Sequence, residues 1–405
     1  MICADGVLEG AGTVVADVTN GGKVRPGASA GLLTIDGQYV ETPQGEFDVE
    51  IGGIAAGSQH DQLIITGAAS LGGKVVVVPI NGFTPTAGQS FDVLTSPSVS
   101  GTYRRFDLPI SPGRIMDVQY EAAAGVELAM LSLPVVSGHA VSVYAHVDQP
   151  VQLAFRADGF LYSGRERSPS RIHGISLGGL SVVEVGNEPL NDPDAVTIDV
   201  NGSVTGIEGA VIVGHICSQV NFDGCATAIA PDGSMSSIIT LSTFFTNPSV
   251  VLAEPAGRLL VGDIGDGIQA AHSLIAYENG TQSNLVTQAR RVRDIARHSS
   301  GLLYVMSNDD YQGNPDWVVD VYASNGTLIE PALVSGVVTN STAHIALSSG
   351  GDFGAMLYVA EGERLLRVDA AGNSFEMATG FNFGPIAYMA FGPDAVSYTH
   401  LRAHE

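Results

Sequence analysis

Three short hairpins in the second half of the chain recur at one fixed spacing, and few folds accommodate that. Leu274–Val286 reads LIAYENGTQSNLV, Val319–Ile329 reads VDVYASNGTLI and Leu366–Met377 reads LRVDAAGNSFEM. Their turn glycines, Gly280, Gly326 and Gly372, lie 46 residues apart in both intervals. Each segment is a strand, an Asn-Gly or Ala-Gly turn and a second strand, the strongest short-range hairpin signal. A second strand pair precedes each: Val250–Val261, Val292–Val305 and Ala343–Val359. Four strands in about 46 residues is the size of one propeller blade. Weaker copies begin at Gln152 and Ala195, and a sixth begins at Pro385. A stack of two β-sandwiches also uses short strands, but it does not predict equal spacing.

The first third of the chain is different. Short β runs alternate with glycine corners: GLLTI at Gly31–Ile35, EFDVEI at Glu46–Ile51, DQLIIT at Asp61–Thr66, KVVVV at Lys74–Val78 and SFDVL at Ser90–Leu94. In Glu46–Ile51 the apolar Phe47, Val49 and Ile51 alternate with Glu46, Asp48 and Glu50, a period of two that means a half-buried strand. Gly27-Ala28-Ser29-Ala30-Gly31 matches the G-x-S-x-G nucleophile elbow as a string. That elbow needs a helix after the serine, and here Leu32–Ile35 reads as strand, so Ser29 is expected at a corner.

Three resemblances follow from these strings. Gly21–Gly53 and His60–Leu94 together resemble the last coils of an autotransporter-type right-handed parallel β-helix, which implies a secreted or surface-displayed solenoid; a β-sandwich is the alternative. The LLYV and MLYV strands at Leu302–Val305 and Met356–Val359, the RVD-x-x-G hairpin at Arg367–Gly372 and the AFGPD string at Ala390–Asp394 resemble NHL-type and gluconolactonase-type β-propellers, usually six-bladed. Val396–Glu405, VSYTHLRAHE, resembles a translated sequencing adaptor, and it stands where the repeat calls for a glycine and an L-Y-V strand. It implies a non-native tail after a cut blade, with a frayed native tail as the alternative. The expected fold is therefore all-β: a β-helix (solenoid) end over 1–134, a linker at 135–140, an incomplete β-propeller over 141–395 and a foreign tail over 396–405.

Charge narrows the partners. The chain carries 42 acidic and 18 basic residues, a formal charge of −24, and such a surface repels nucleic-acid phosphate. No apolar run is long enough for a transmembrane segment. The gluconolactonase resemblance implies a calcium held by carboxylate and amide oxygens, a hard cation polarising an ester carbonyl. The acidic loops offer Asp263 and Asp266, then Asn308, Asp309, Asp310, Asn314 and Asp316, then Glu188, Asn191, Asp192 and Asp194. Asp309, Asp310 and Asp316 are the best metal candidates, although Asp and Asn also fill turns for backbone reasons. No family motif assigns a catalytic residue.

His173, His215, His272 and His344 come from different repeats and could converge on a channel. None forms H-E-x-x-H or a His/Cys pair at zinc spacing. Arg290, Arg291, Arg293 and Arg297 form the one basic cluster, read either as balancing an acidic surface or as a carboxylate or sugar-acid site. Cys217 and Cys225 are spaced for a hairpin bridge, with two free thiols equally open. The N-x-S/T sequences at Asn201, Asn279 and Asn325 are explained as Asn-Gly turns, and Asn340 carries a fourth. The resulting expectation is a non-enzymatic extracellular or cell-surface protein, a solenoid stalk presenting a propeller loop face to a glycan or protein partner. The alternative is a calcium-dependent lactonase-type hydrolase or a lyase working in the propeller channel.

Overall fold

The computed structural model describes all residues except 122–124, 135, 137–140, 148, 166–168, 180, 219–222, 241–247, 264–273, 287–290, 309–316, 339–342, 349–352, 380–385, 393–396 and 402–405. The chain is all-β, with a single 3-10 turn at Leu177–Gly179 among the described residues. No helix in them is long and apolar enough to cross a membrane. Two compact units divide near Asp148: Met1–Asp148 (unit 1) and Gln149–Arg402 (unit 2).

In unit 1 successive strands visit three sheets in turn, so that each strand from Val7–Gly10 to Lys74–Pro79 pairs in parallel with the third strand after it. One sheet stacks Val7–Gly10, Lys23–Pro26, Glu46–Ile51, Lys74–Pro79 and Arg105–Asp107. Period-two patterning turns one row of side chains inward, where like sits on like: Val24 on Phe47 on Val75, and Leu33 on Leu63 on Leu94. All six of these are buried. The outward row of the first sheet carries charges of alternating sign. Lys23 pairs with Glu46, Arg25 with Asp48 at 2.6 Å and Lys74 with Asp107 at 3.2 Å. Gly125–Ser132 ends the stack by pairing antiparallel with both Ser90–Thr95 and Arg114–Glu121, which covers an otherwise open strand edge. Ser29 lies in the bend between Lys23–Pro26 and the strand Leu32–Ile35, with no helix behind it.

Unit 2 holds the repeats. Pro248–Val286, Arg291–Val338 and His344–Thr379 each form a four-stranded antiparallel sheet in simple up-and-down order. The hairpins of the 46-residue repeat are the third and fourth strands of these blades. The repeat glycines serve two ends. Gly326 and Gly372 have φ of 84° and 80°, and a Cβ on either would overlap a carbonyl of the preceding blade, that of Leu285 or Leu333. Turn geometry and blade-to-blade packing thus select the same residue. The first two blades share the long strand Val182–Asp199, which pairs with Ser170–Ile175 through its first half and with Ala210–Ser218 through its second. Between the halves Asp192 adopts φ of 51°. A last pair, Ile386–Phe391 with Ser397–Leu401, completes the described strands.

The first strand of each blade faces the centre. Going round, Pro150–Phe155, residues 195–199, Pro248–Ala253, Arg291–Arg297, His344–Leu347 and Ile386–Phe391 pack side by side, and the last packs on the first. The ring closes. Buried valine, isoleucine and leucine side chains fill the space between neighbouring blades.

Candidate functional site

The six central strands line a cavity of about 300 Å3. Its lining side chains include the apolar Leu153, Val196, Val251, Ile295, Ile345 and Met389, while polar atoms make up more than half of the exposed wall. The charged side chains gather at the ends. Where the strands finish, Arg297 donates through Nε to Glu254 Oε1 at 3.1 Å, and Glu254 also takes the guanidinium of Arg258. Arg258 reaches on to the Ser324 carbonyl at 2.7 Å, so this group ties two blades together through one carboxylate shared by two guanidiniums.

The start ends of the strands carry a different cluster. His344, fully buried, opens the fifth central strand. Its Nδ1 lies 3.1 Å from Asp294 Oδ2, and its Nε2 lies 3.0 Å from Arg293 Nη2. A carboxylate can only accept and a guanidinium can only donate, so Nδ1 carries the proton and Nε2 is the acceptor. Burial, and then the Arg293 charge, push the imidazole down to about 4 against the pull of Asp294; the ring is neutral at ordinary pH. Asp294 is held in turn by backbone amides, Ile345 N–H to Oδ2 at 2.9 Å and Ile295 N–H to Oδ1 at 2.8 Å. The Tyr388 ring lies on the imidazole, with centroids 3.6 Å apart. Burial raises its phenol far above the usual range, Arg293 opposing and Asp194 and Asp294 adding to the rise, so Tyr388 keeps its proton and can donate.

The sequence-level candidates fare unevenly. Of the four histidines, His344 alone among the described residues is placed on a central strand, fully buried behind the lining residues Asp294 and Tyr388. His215 lies on a second strand bonded to Thr227 Oγ1 at 2.8 Å. His173 lies on a third strand, opposite Ser163 and Glu184, and His272 is outside the described residues. Of the arginine cluster, Arg293 and Arg297 reach opposite ends of the channel, and Arg290 is outside the described residues. Asp309, Asp310 and Asp316 are also outside them. Among the described residues no three His, Cys, Asp or Glu side chains come together to hold a metal, so a fit to calcium is not established and no step below passes through one. Cys217 and Cys225 are joined, with Cα atoms 5.6 Å apart, and Cys3 is free.

No family model and no curated protein matches the chain. Solved structures do. A gluconolactonase from Xanthomonas campestris superposes with a TM-score of 0.51 at 12% identity, over 73% of this chain and 95% of that one. A nidogen/laminin complex gives 0.49 at 13%, covering 69% and 95%. A calcium-binding regucalcin from Agrobacterium tumefaciens gives 0.45 at 15%, covering 63% and 83%. Unit 2 is a β-propeller. At such identities the likeness establishes the propeller fold alone. It nonetheless corrects one expectation from the sequence, that of a non-enzymatic adhesion or display protein. The propeller matched at 0.51 is an enzyme, and the central strands here line a cavity on which Asp294 and Tyr388 open. The alternative, an enzyme acting in the channel, agrees better with both findings.

Proposed function

We propose that unit 2 is a lactonase-type hydrolase that opens a cyclic ester at the polar end of the propeller channel. One observation carries the reading: Asp294 and Tyr388, on two central strands, line one cavity, and His344 from the strand between them touches both and holds Arg293 behind them. In ester hydrolysis water adds to the acyl carbon, the acyl C–O bond breaks, and the departing alkoxide takes up a proton. Negative charge builds on the acyl oxygen meanwhile. Fixed donors inside a protein stabilise such charge more than water does, and the Tyr388 hydroxyl is the donor that the cavity lining offers. His344 has both nitrogens engaged, so its part is to hold Arg293 and not to take a proton from water. In this reading the glycan or protein partner expected at the loop face narrows to a small carbonyl-bearing molecule.

The test is a panel of five- and six-membered lactones and open-chain esters, with acid release followed by a pH indicator, calcium present or absent. Turnover is expected on a cyclic ester, and Tyr388→Phe should lower kcat about 100-fold. No turnover on any member under either condition overturns the proposal.

We also propose that unit 1 is the end of a parallel β-helix and that the protein works outside the cytoplasm. The threefold return of the strands supports the first statement, and the Cys217–Cys225 bridge supports the second, because disulfides persist in oxidising compartments. Chain isolated from its native cells without reductant should show one titratable thiol when denatured, that of Cys3. Three thiols before reduction would remove the support for an extracytoplasmic place.

A further inference from the structure

Glu254 is one carboxylate between two guanidiniums. Arg297 Nε donates to its Oε1 at 3.1 Å, and Arg258 Nε donates to its Oε2. The glutamate is buried, so both of its oxygens are spent inside the protein and the trio keeps one positive charge in surplus. Arg258 turns its Nη1 to the Ser324 carbonyl and does not line the cavity. Arg297 does line it, with a side chain 33% exposed. Among the described residues its two Nη atoms have no hydrogen-bond partner, and Glu254 is its one ion pair. A guanidinium that reaches open space with its end nitrogens unspent, on a carboxylate already shared, is suited to a second anion.

We infer that Arg297 anchors the carboxylate of a ligand that lies along the channel with its carbonyl end at Tyr388. Nε is held by Glu254, which leaves Nη1 and Nη2 as parallel donors to two carboxylate oxygens. One negative charge cancels the surplus of the trio, whereas a phosphate dianion would exceed it and stand against Glu254. The length of the ligand follows from one strand. Asp294 and Arg297 both line the cavity and are three residues apart in Arg291–Arg297, about 10 Å along a strand. Two more lining side chains have donors to spare between neighbouring strands. Gln152 Oε1 takes the Val196 N–H at 2.9 Å, and Thr197 Oγ1 takes the Ala253 N–H at 3.2 Å. The Gln152 amide nitrogen and the Thr197 hydroxyl proton have no partner among the described residues, so the matching ligand brings oxygen acceptors. The inference rests on the proposed function in placing the reacting carbonyl at Tyr388, and it names the substrate class: a cyclic ester whose side chain ends in a carboxylate. The anchor itself needs only the cavity and Arg297.

The experiment is calorimetry on the full chain with hexanoate and with hexanamide, its neutral counterpart. Hexanoate should bind at least about tenfold more tightly. Arg297→Gln should remove that preference, and Arg258 then stays on Glu254, so a charge pair remains between the strands. Arg258→Gln takes the same charge from the trio without altering the lining, and it should retain a preference of at least about threefold. Equal affinity for the two probes in the parent, or a loss as large in Arg258→Gln as in Arg297→Gln, overturns the anchor. Acid release is then followed on γ-butyrolactone carrying a carboxypropyl side chain and on the matching carboxamide. KM should be lower for the carboxylate, and Arg297→Gln should raise it for the carboxylate more than for the amide. Hexanoate binding that depends on Arg297, without turnover of either lactone, would sustain the anchor and sink the hydrolase. Turnover of both lactones with equal KM and with binding indifferent to Arg297 would do the reverse.

Discussion

Raising the pH from about 5 to about 9 is expected to cost unit 1 stability through two buried carboxyls, Glu41 and Asp61, with on the order of 4 kcal/mol through Glu41. Glu41 is buried against the inner wall, where Tyr39 O–H donates to its Oε2 at 3.0 Å and Oε1 has no partner. Burial raises its carboxyl from 4.5 to about 8, with the Tyr39 bond and the Arg105 charge opposing. A raised folded pKa means that the native state holds a proton which the unfolded chain has already released. Its contribution is complete below about 4.5 and is lost as the pH climbs through about 8. Glu41→Gln keeps the shape and removes this titration, so its loss across the range should shrink to the part due to Asp61, whose carboxyl burial raises to about 7, and its stability should exceed that of the parent at pH 9.

Unit 2 should move the other way. His344 falls from 6.5 to about 4 on folding, so the unfolded chain takes up a proton first and stability declines as the pH drops from 6.5 towards 4. The size is on the order of 3 kcal/mol for so buried a ring. The single tryptophan, Trp317, is buried in unit 2 and reports this transition by its fluorescence. Hydrogen exchange of the amides at Tyr39–Glu41 reports the other. An alkaline loss in unit 1 that is undiminished in Glu41→Gln would refute the first assignment, and an acid loss in unit 2 that is undiminished in His344→Gln the second.

The parts of the molecule legible in the sequence are those set by local chemistry. A positive-φ turn every 46 residues, at Gly280, Gly326 and Gly372, marks blades because each turn is made by its own few residues. Alternation in Glu46–Ile51 marks its inner face for the same reason. The site is built otherwise. Arg293 and Asp294 meet His344 from the neighbouring blade, and Tyr388 comes from the blade beyond, so no local spacing records the meeting. His344 was among four candidate histidines, and only closure of the ring separates it from His173 and His215. Asp294 and Tyr388 went unremarked. The one available signal is a charge pair, Arg293-Asp294, inside the strand Arg291–Arg297. Acidic loops drew attention instead, because oxygen-rich turns look like ligands whether or not they converge.

Asp294→Ala should be the most damaging single change at the channel, costing about 3–5 kcal/mol, as removal of one partner from a buried charged network does. The reason lies in what is left behind. Asp294 accepts from His344 Nδ1, from Ile345 N–H and from Ile295 N–H, and its loss leaves these donors without an acceptor in a place water enters with difficulty. His344 would then lack the group that sets its tautomer, and Tyr388 the fixed ring it lies on, so lactone turnover should fall below detection even in the folded fraction. Asp294→Asn separates the two effects. It keeps one acceptor oxygen and should cost about 1–2 kcal/mol, yet its amide cannot serve His344 and both backbone amides together. Stability is read from Trp317 fluorescence in urea and turnover from acid release. An Asp294→Ala protein within about 1 kcal/mol of the parent would mean that the network is not closed as described. Such a result would also remove the physical basis for treating His344 and Asp294 as positioning residues, because a carboxylate that can be deleted freely is not holding anything in place.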